Sequence, residues 1–257
     1  MSLRPPLLEA VGISKHFGGV MALQDVSLDV GEGEAVGLVG PNGAGKTTFF
    51  NCLLGLLRPE AGRVTFKGTD LAGMPIHKRA RLGIGRTFQR IELFSGLTVG
   101  EHLLIAERAR RRRGGILFDL IGGGRPTAEE QERVAEMVEL VGLGGAADVP
   151  VEALSLGHAR LVELGRALIT DPALLLLDEP SSGLDRVEAL ALAAVLRTTQ
   201  EQKDTAVLLV EHDLEMVRRV VTRLFVIDSG ALLASGPVDD VLGDERVRHA
   251  YLGRGVA

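Results

Sequence analysis

The sequence predicts an α/β fold in which a mostly parallel sheet carries helices on both faces. Short, fully apolar runs typical of buried strands alternate with helical patterns, as they do in a parallel sheet. Apolar alternation near the N-terminus indicates antiparallel strands, and a stretch without strand patterns interrupts the core. We therefore predict one domain over residues 1–257, with an α/β core at 1–94 and 166–257 and an inserted helical subdomain at 95–165.

The bounds of the elements follow from apolar periodicity and from turn residues. Thr127 and Glu130 have the spacing of a capping box, which predicts a helix that opens at Thr127 and runs to residue 141. The other predicted helices lie at 47–57, 75–82, 101–113, 158–169, 186–201 and 214–221, and the predicted strands at 7–13, 20–30, 34–39, 62–66, 84–88, 173–177, 206–210, 224–227 and 232–234.

Composition narrows the class of protein. The chain has 46% hydrophobic and 25% charged residues, which is typical of a globular protein. Its net charge of −5 argues against a nucleic-acid partner, because nucleic-acid-binding proteins are usually basic. The single Cys52 excludes an internal disulfide and is expected to be a small buried hydrophobe. Without a long apolar run or a signal peptide, we expect a cytoplasmic protein.

Two local features leave alternatives open. Phe17 lies on a predicted turn at 15–19, where an aromatic side chain either packs into the core or stacks on a flat ligand. Arg110 to Arg113 end a predicted helix, where positive charge is favourable beside the negative end of the dipole. We expect these arginines to form a solvated helix end, with contact to anionic lipid or RNA as the alternative.

A glycine-rich loop carries the strongest chemical signal. It fits the pattern G-x-x-x-x-G-K-[ST] and stands between a predicted strand and a predicted helix, which places phosphate at a helix N-terminus. Lys46 would reach the β and γ phosphates, and the Thr47 hydroxyl would lie on Mg²⁺. The loop consists of Gly40, Pro41, Asn42, Gly43, Ala44, Gly45, Lys46, Thr47 and Thr48.

Two carboxylates follow the apolar strand at 173–177. Ligand sites of open parallel sheets lie at the carboxyl ends of the strands, where Asp178 and Glu179 emerge. In enzymes with a phosphate loop, an aspartate at this position helps to hold Mg²⁺. The adjacent Glu179 is suited to polarise a water molecule as a general base.

Together, these residues resemble the ATP-binding cassette (ABC) ATPases, which are P-loop NTPases with an antiparallel β subdomain and an inserted helical subdomain. The resemblance covers nearly the whole chain, and its motifs occur in the family's order. It implies an ATPase that uses ATP and Mg²⁺. The implied roles are adenine stacking for Phe17, Mg²⁺ and partner sensing for Gln89, the signature for Ser155, Leu156, Gly157 and His158, the dimer loop for Asp185, and the γ-phosphate switch for His212.

The signature departs from the family's usual L-S-G-G-Q, since Leu156 replaces a glycine and His158 replaces a glutamine. Ser155 can still cap the helix expected to begin at His158 and aim N–H groups at a second nucleotide. His158 is either a pH-sensitive group or simple family variation. The resemblance implies two facing cassettes that share each ATP.

Several segments resemble the larger ATPase subunit of branched-chain amino acid importers. They are residues 86–89, the glycine-rich insertion, residues 211–213 and the ending at 251–253. This resemblance implies a second ATPase subunit (a homo- or heterodimer), two transmembrane permease subunits, a periplasmic or extracellular substrate-binding protein, and a peripheral location on the cytoplasmic face of the plasma membrane. The alternatives are the ATPase of a lipid or lipopolysaccharide exporter and a soluble ABC ATPase acting on DNA or ribosomes.

Overall fold

The fold is built around two sheets. The computed structural model describes residues 5–87, 91–111 and 125–252. Within these residues the strands are β1 Leu8–Phe17, β2 Val20–Val30, β3 Ala35–Val39, β4 Ala61–Phe66, β5 Thr69–Asp70, β6 Ile84–Arg86, β7 Leu174–Asp178, β8 Ala206–Val210, β9 Arg223–Asp228 and β10 Ala231–Pro237. The larger sheet has the order β10-β9-β3-β8-β7-β6, and the smaller one has the order β2-β1-β4-β5.

The helices lie between and after these strands. In the described part of the chain they are α1 Lys46–Leu54, α2 Ile76–Arg81, α3 Val99–Arg111, α4 Ala128–Leu140, α5 Leu156–Leu168, α6 Arg186–Lys203, α7 Leu214–Val220, α8 Val238–Gly243 and α9 Glu245–Leu252. A short 3-10 helix occupies Val151–Ala153. None of the helices in the described ranges is long and apolar enough to span a bilayer.

The predicted α/β class is confirmed. Strands β3, β6, β7, β8 and β9 are parallel, with β10 antiparallel at one edge. The smaller sheet is antiparallel throughout. β7 and β8 are buried along their full length, because both faces of the larger sheet are covered.

Two hydrophobic clusters cover the faces of the larger sheet. Leu175 and Leu177 of β7 lie in a cluster with residues of α3, α4 and α5. Leu174 and Leu176 lie in the other, with α1 and the antiparallel strands, because side chains alternate along a strand. Cys52 of α1 is buried in this second cluster as expected, and burial raises the pKa of its thiol to about 11.

Some predicted bounds were wrong. β1 runs through Phe17 and pairs it with Val20, so the turn is confined to the two glycines at 18 and 19. α1 ends at Leu54 because Gly55 adopts a left-handed conformation (φ +77°) that caps the helix. Helices α8 and α9 are not among the helices predicted from the hydrophobic pattern. The expected boundary between residues 165 and 166 falls inside α5, and the division into core and helical subdomain stays a prediction.

Arg110 and Arg111, the described part of the arginine run, form ion pairs. Arg110 and Arg111 pair with Glu107, which is fully buried, and Arg133 of α4 pairs with the same carboxylate. The Arg111 side chain is only 14% exposed. These two arginines therefore share a buried carboxylate as ion-pair partner, although Arg110 is itself exposed, whereas Arg112 and Arg113 lie outside the described residues.

Candidate nucleotide-binding site

The candidate site lies where the carboxyl ends of three neighbouring strands of the larger sheet meet. β8 lies between β3 and β7 and is parallel to both, so their carboxyl ends meet at the same edge. The glycine loop follows β3, Asp178 ends β7, and Glu211 follows β8. The topology thus brings together motifs that are up to about 170 residues apart in the chain.

The glycine loop requires glycine at two positions. Gly40 has φ +155°, and a Cβ there would lie 2.0 Å from the carbonyl oxygen of Ile227 in β9. Gly45 has φ +106°, and its Cβ would lie 2.5 Å from the carbonyl oxygen of Ala22 in β2. The loop is therefore held against backbone on two sides, and α1 begins directly after it at Lys46.

Lys46 folds back over this loop. Its side chain is buried, and Nζ donates hydrogen bonds to the carbonyl oxygens of Gly40 at 2.7 Å and Pro41 at 3.2 Å. Burial lowers the pKa of Lys46, while the nearby carboxylates of Glu179 and Asp178 oppose that shift. A phosphate oxygen would replace neutral carbonyls as the partner of this ammonium, which strengthens the interaction.

Asp178 is a buried carboxylate at the end of β7. Burial raises its pKa to about 6, and the charge of neighbouring Glu179 adds to the shift, whereas Lys46 opposes it. A cation beside this carboxylate would favour the ionised form. The Thr47 side chain is exposed at the start of α1. In the described part of the chain no three His, Cys, Asp or Glu side chains cluster as metal ligands.

Glu179 has an uncommon backbone conformation. Its φ is +47°, in the left-handed region that costs a non-glycine residue on the order of 1 kcal/mol or more. The backbone N–H of Glu179 donates to the carbonyl of Val210 at 2.8 Å, which ties the turn to β8. The His212 ring faces this glutamate, with Nδ1 4.0 Å from Oε1.

Glu211 is a site residue whose structural role the sequence argument missed. Its carboxylate is fully buried and accepts hydrogen bonds from the backbone and hydroxyl of Ser181 and from the backbone of His212. It thereby joins the loop after β7 to the loop after β8. An acid directly after a fully apolar strand was the available signal, because a carboxylate so placed needs several donors.

Phe17 is exposed, which excludes packing of its ring in the core. The residue is 49% accessible, and Val20, its partner on β2, is also exposed. Lys15 Nζ lies 5.4 Å from the ring centroid, a cation–π contact. The ring is therefore not packed into the core, and its face can meet a flat ligand.

The signature segment begins α5. Ser155 Oγ accepts a hydrogen bond from the backbone N–H of His158 at 3.2 Å, so the predicted cap is present and the helix begins at Leu156, two residues earlier than expected. Leu156 and His158 are exposed, whereas Gly157 is buried. Asp185 caps α6 in the same way, accepting from the backbone of Glu188 at 2.8 Å. Gln89 lies outside the described residues.

The comparisons with known proteins agree with this geometry. A family model described as ABC transporter matches residues 23–182. The ATP-binding protein LivG of high-affinity branched-chain amino acid transport from Salmonella typhimurium is 38% identical over 250 residues, which cover 96% of this chain and 98% of LivG. The corresponding BraF of Pseudomonas aeruginosa has the same identity and coverage.

The chain is also similar to a protein with a different named role and to a protein of known structure. LptB, the ATP-binding protein of a lipopolysaccharide export system in Haemophilus influenzae, is 34% identical and covers 96% of this chain and 97% of its own length. The ADP conformation of MJ1267, an ATP-binding cassette of an ABC transporter, has a TM-score of 0.85 and 31% identity, covering 98% of this chain and all of that one. The chain therefore belongs to the ABC transporter family and is one of its ATP-hydrolysing, ATP-binding cassettes.

Proposed function

We propose that this chain is the ATP-hydrolysing subunit of a membrane importer for branched-chain or other amino acids. The observation that carries the ATPase part is the convergence of Lys46, Asp178 and Glu179 at one sheet edge, beside a glycine loop at a helix N-terminus. The substrate class rests on the likeness over nearly the full length to LivG and BraF.

The loop from Gly40 to Thr48 binds the phosphates of ATP in this proposal. Its backbone N–H groups and Lys46 neutralise the negative charge, and Phe17 stacks on the adenine. Thr47 and Asp178 hold Mg²⁺, for which a hydroxyl, one buried carboxylate and phosphate oxygens are suitable ligands. Bound there, Mg²⁺ would supply charge stabilisation to the phosphoryl group during transfer.

Glu179 acts as the general base for hydrolysis. It accepts a proton from a water molecule while the water oxygen bonds to the γ-phosphorus and the bond to the β-phosphate oxygen breaks, which releases ADP and phosphate. His212 contacts the γ-phosphate and lies beside Glu179. Gln89 senses Mg²⁺ and the membrane partner, as the family resemblance implies.

The complete site needs a second ATPase subunit. The nucleotide held by the opposite cassette is contacted by the signature residues Ser155, Leu156, Gly157 and His158. Asp185 lies on the loop that crosses the dimer. ATP thus favours the closed dimer because it binds that state more tightly. Two permease subunits carry the substrate, a periplasmic or extracellular binding protein delivers it, and the cassettes lie peripherally on the cytoplasmic face of the membrane.

A lipopolysaccharide or lipid exporter is the second candidate. The likeness to LptB, at 34% identity over nearly the whole chain, supports it specifically. Purification of the tagged chain from detergent-extracted membranes separates the candidates. We expect two permease subunits and a second cassette to copurify, and the companion binding protein to hold an amino acid. Recovery with lipid-exporter components would favour the second candidate, and recovery with DNA or ribosomes alone would contradict both.

A further inference from the structure

Glu188 joins the signature segment to the dimer loop. Its Oε1 accepts hydrogen bonds from Ser155 Oγ at 3.1 Å and from the backbone N–H of Gly157 at 3.2 Å. Its Oε2 accepts from the backbone N–H of Asp185 at 3.3 Å. One carboxylate therefore satisfies donors at the N-termini of both α5 and α6.

The Glu188 carboxylate lies close against Gly157. A Cβ at Gly157 would lie 2.5 Å from both Cδ and Oε1 of Glu188. Gly157 does not have a positive φ, so its backbone would accept another residue. A side chain at residue 157 would therefore displace the Glu188 carboxylate from its present position.

The donors that Glu188 occupies are the ones through which the signature would bind a γ-phosphate. A hydroxyl and a backbone N–H at a helix N-terminus bind anions, and here the anion is a carboxylate of the same chain. A phosphate oxygen and a carboxylate oxygen cannot share these donors, because two negative charges at such short range repel. Glu188 must therefore withdraw before a γ-phosphate can bind Ser155 and Gly157.

We propose that Glu188 is an internal competitor of the γ-phosphate, a positioning residue that holds the signature donors in the free cassette and releases them when two cassettes close on ATP. The inference rests on the proposed function, since it requires a second cassette that presents the nucleotide. Withdrawal of Glu188 also frees the backbone N–H of Asp185, so occupation of the signature and the position of the dimer loop change together.

The test compares ATP hydrolysis by the complete assembly, isolated through the tagged chain, with and without Glu188→Gln. The amide keeps an acceptor for Asp185 but has no charge to compete with phosphate. We expect the ATP concentration for half-maximal hydrolysis to fall about three- to tenfold, with kcat changed less than about twofold. ATP binding to the isolated chain, which uses its own glycine loop, should be unchanged.

Glu201→Gln is the matched control, because it removes the same charge from α6 at a side chain that is 70% exposed.

Glu188→Ala is a second variant, which also loses the contact to Asp185. We expect it to have a lower melting temperature and, like Glu188→Gln, to need less ATP for half-maximal hydrolysis. An unchanged or higher ATP requirement in Glu188→Gln, or unfolding of both variants, would overturn the inference and leave the proposed function intact. An unmodified assembly that hydrolyses no ATP would overturn both.

Discussion

The buried carboxylate of Glu211 accepts two hydrogen bonds from Ser181, one from the backbone nitrogen at 3.0 Å and one from Oγ at 2.6 Å. A third donor is the backbone of His212, at 3.0 Å. The loop that follows Glu179 and the loop that carries His212 are thus joined through one side chain. This contact positions the proposed base and the proposed γ-phosphate contact relative to each other.

Removal of this carboxylate should destabilise the fold. Glu211→Ala leaves buried donors on Ser181 without their acceptor, and we expect a loss of about 3 kcal/mol in the free energy of unfolding. Urea unfolding measures the change. Glu215→Ala is the control, because Glu215 is half exposed and its ion pairs with arginines should contribute less than about 1 kcal/mol. Equal losses in the two variants would contradict the role of Glu211.

His102 should make stability depend on pH. Phe94 N–H donates to Nε2 of this buried histidine at 2.8 Å, so Nδ1 carries the proton that faces the carbonyl of Thr98 at 3.0 Å. Burial lowers the pKa of His102 below its ordinary 6.5, so the folded chain keeps it neutral where the unfolded chain takes up a proton. The free energy of unfolding that depends on a neutral His102 is therefore fully present above pH 6.5. It decreases as the pH falls below 6.5, because protons then bind to the unfolded chain.

We expect His102 to contribute a loss of up to about 1.4 kcal/mol per pH unit between pH 6.5 and its folded-state pKa. Urea unfolding at pH 7.5 and pH 5.5 measures it, and His102→Gln should remove this part of the pH dependence while lowering stability at both values. His77→Gln, at an exposed position, should leave the dependence as it is. A His102→Gln chain with the full pH dependence would disprove the assignment.

Ser155 should combine a structural and a functional role. Ser155→Ala removes the cap of α5, which we expect to cost about 1 kcal/mol of stability, and it also removes a donor proposed for the second nucleotide. Thr127→Ala removes the equivalent cap of α4 and controls for the loss of stability. We expect ATP hydrolysis by the assembly to fall at least tenfold in the first variant and by less than about twofold in the second. Similar falls in both would indicate that Ser155 acts only through stability.

Much of the α/β core and the glycine loop could be predicted from local motifs in the sequence. The strand, glycine loop and helix around Lys46 follow from a motif and from periodicity, and both are properties of adjacent residues. Application of the capping rule to Ser155 would also have placed the start of α5 at Leu156, since the cap bonds the third helical residue. Gly55 was likewise a local signal for the end of α1.

Contacts between distant segments were not predictable in this way. Glu188 meets Gly157 across 31 residues, and Glu211 meets Ser181 across 30, so neither pairing has a local pattern. Glu107 pairs both with Arg111 of its own helix and with Arg133 of another helix. These pairings arise from the packing of helices and loops on the sheet, which one sequence does not specify residue by residue.

ATP hydrolysis by a Glu179→Gln chain tests whether Glu179 is the base of this ATPase. We expect ATP binding within about threefold of the unmodified chain, turnover reduced at least about a hundredfold, and a dimer trapped by ATP. Glu136→Gln, an exposed change of the same charge, should hydrolyse ATP normally. Normal turnover by Glu179→Gln would show that Glu179 is not the base.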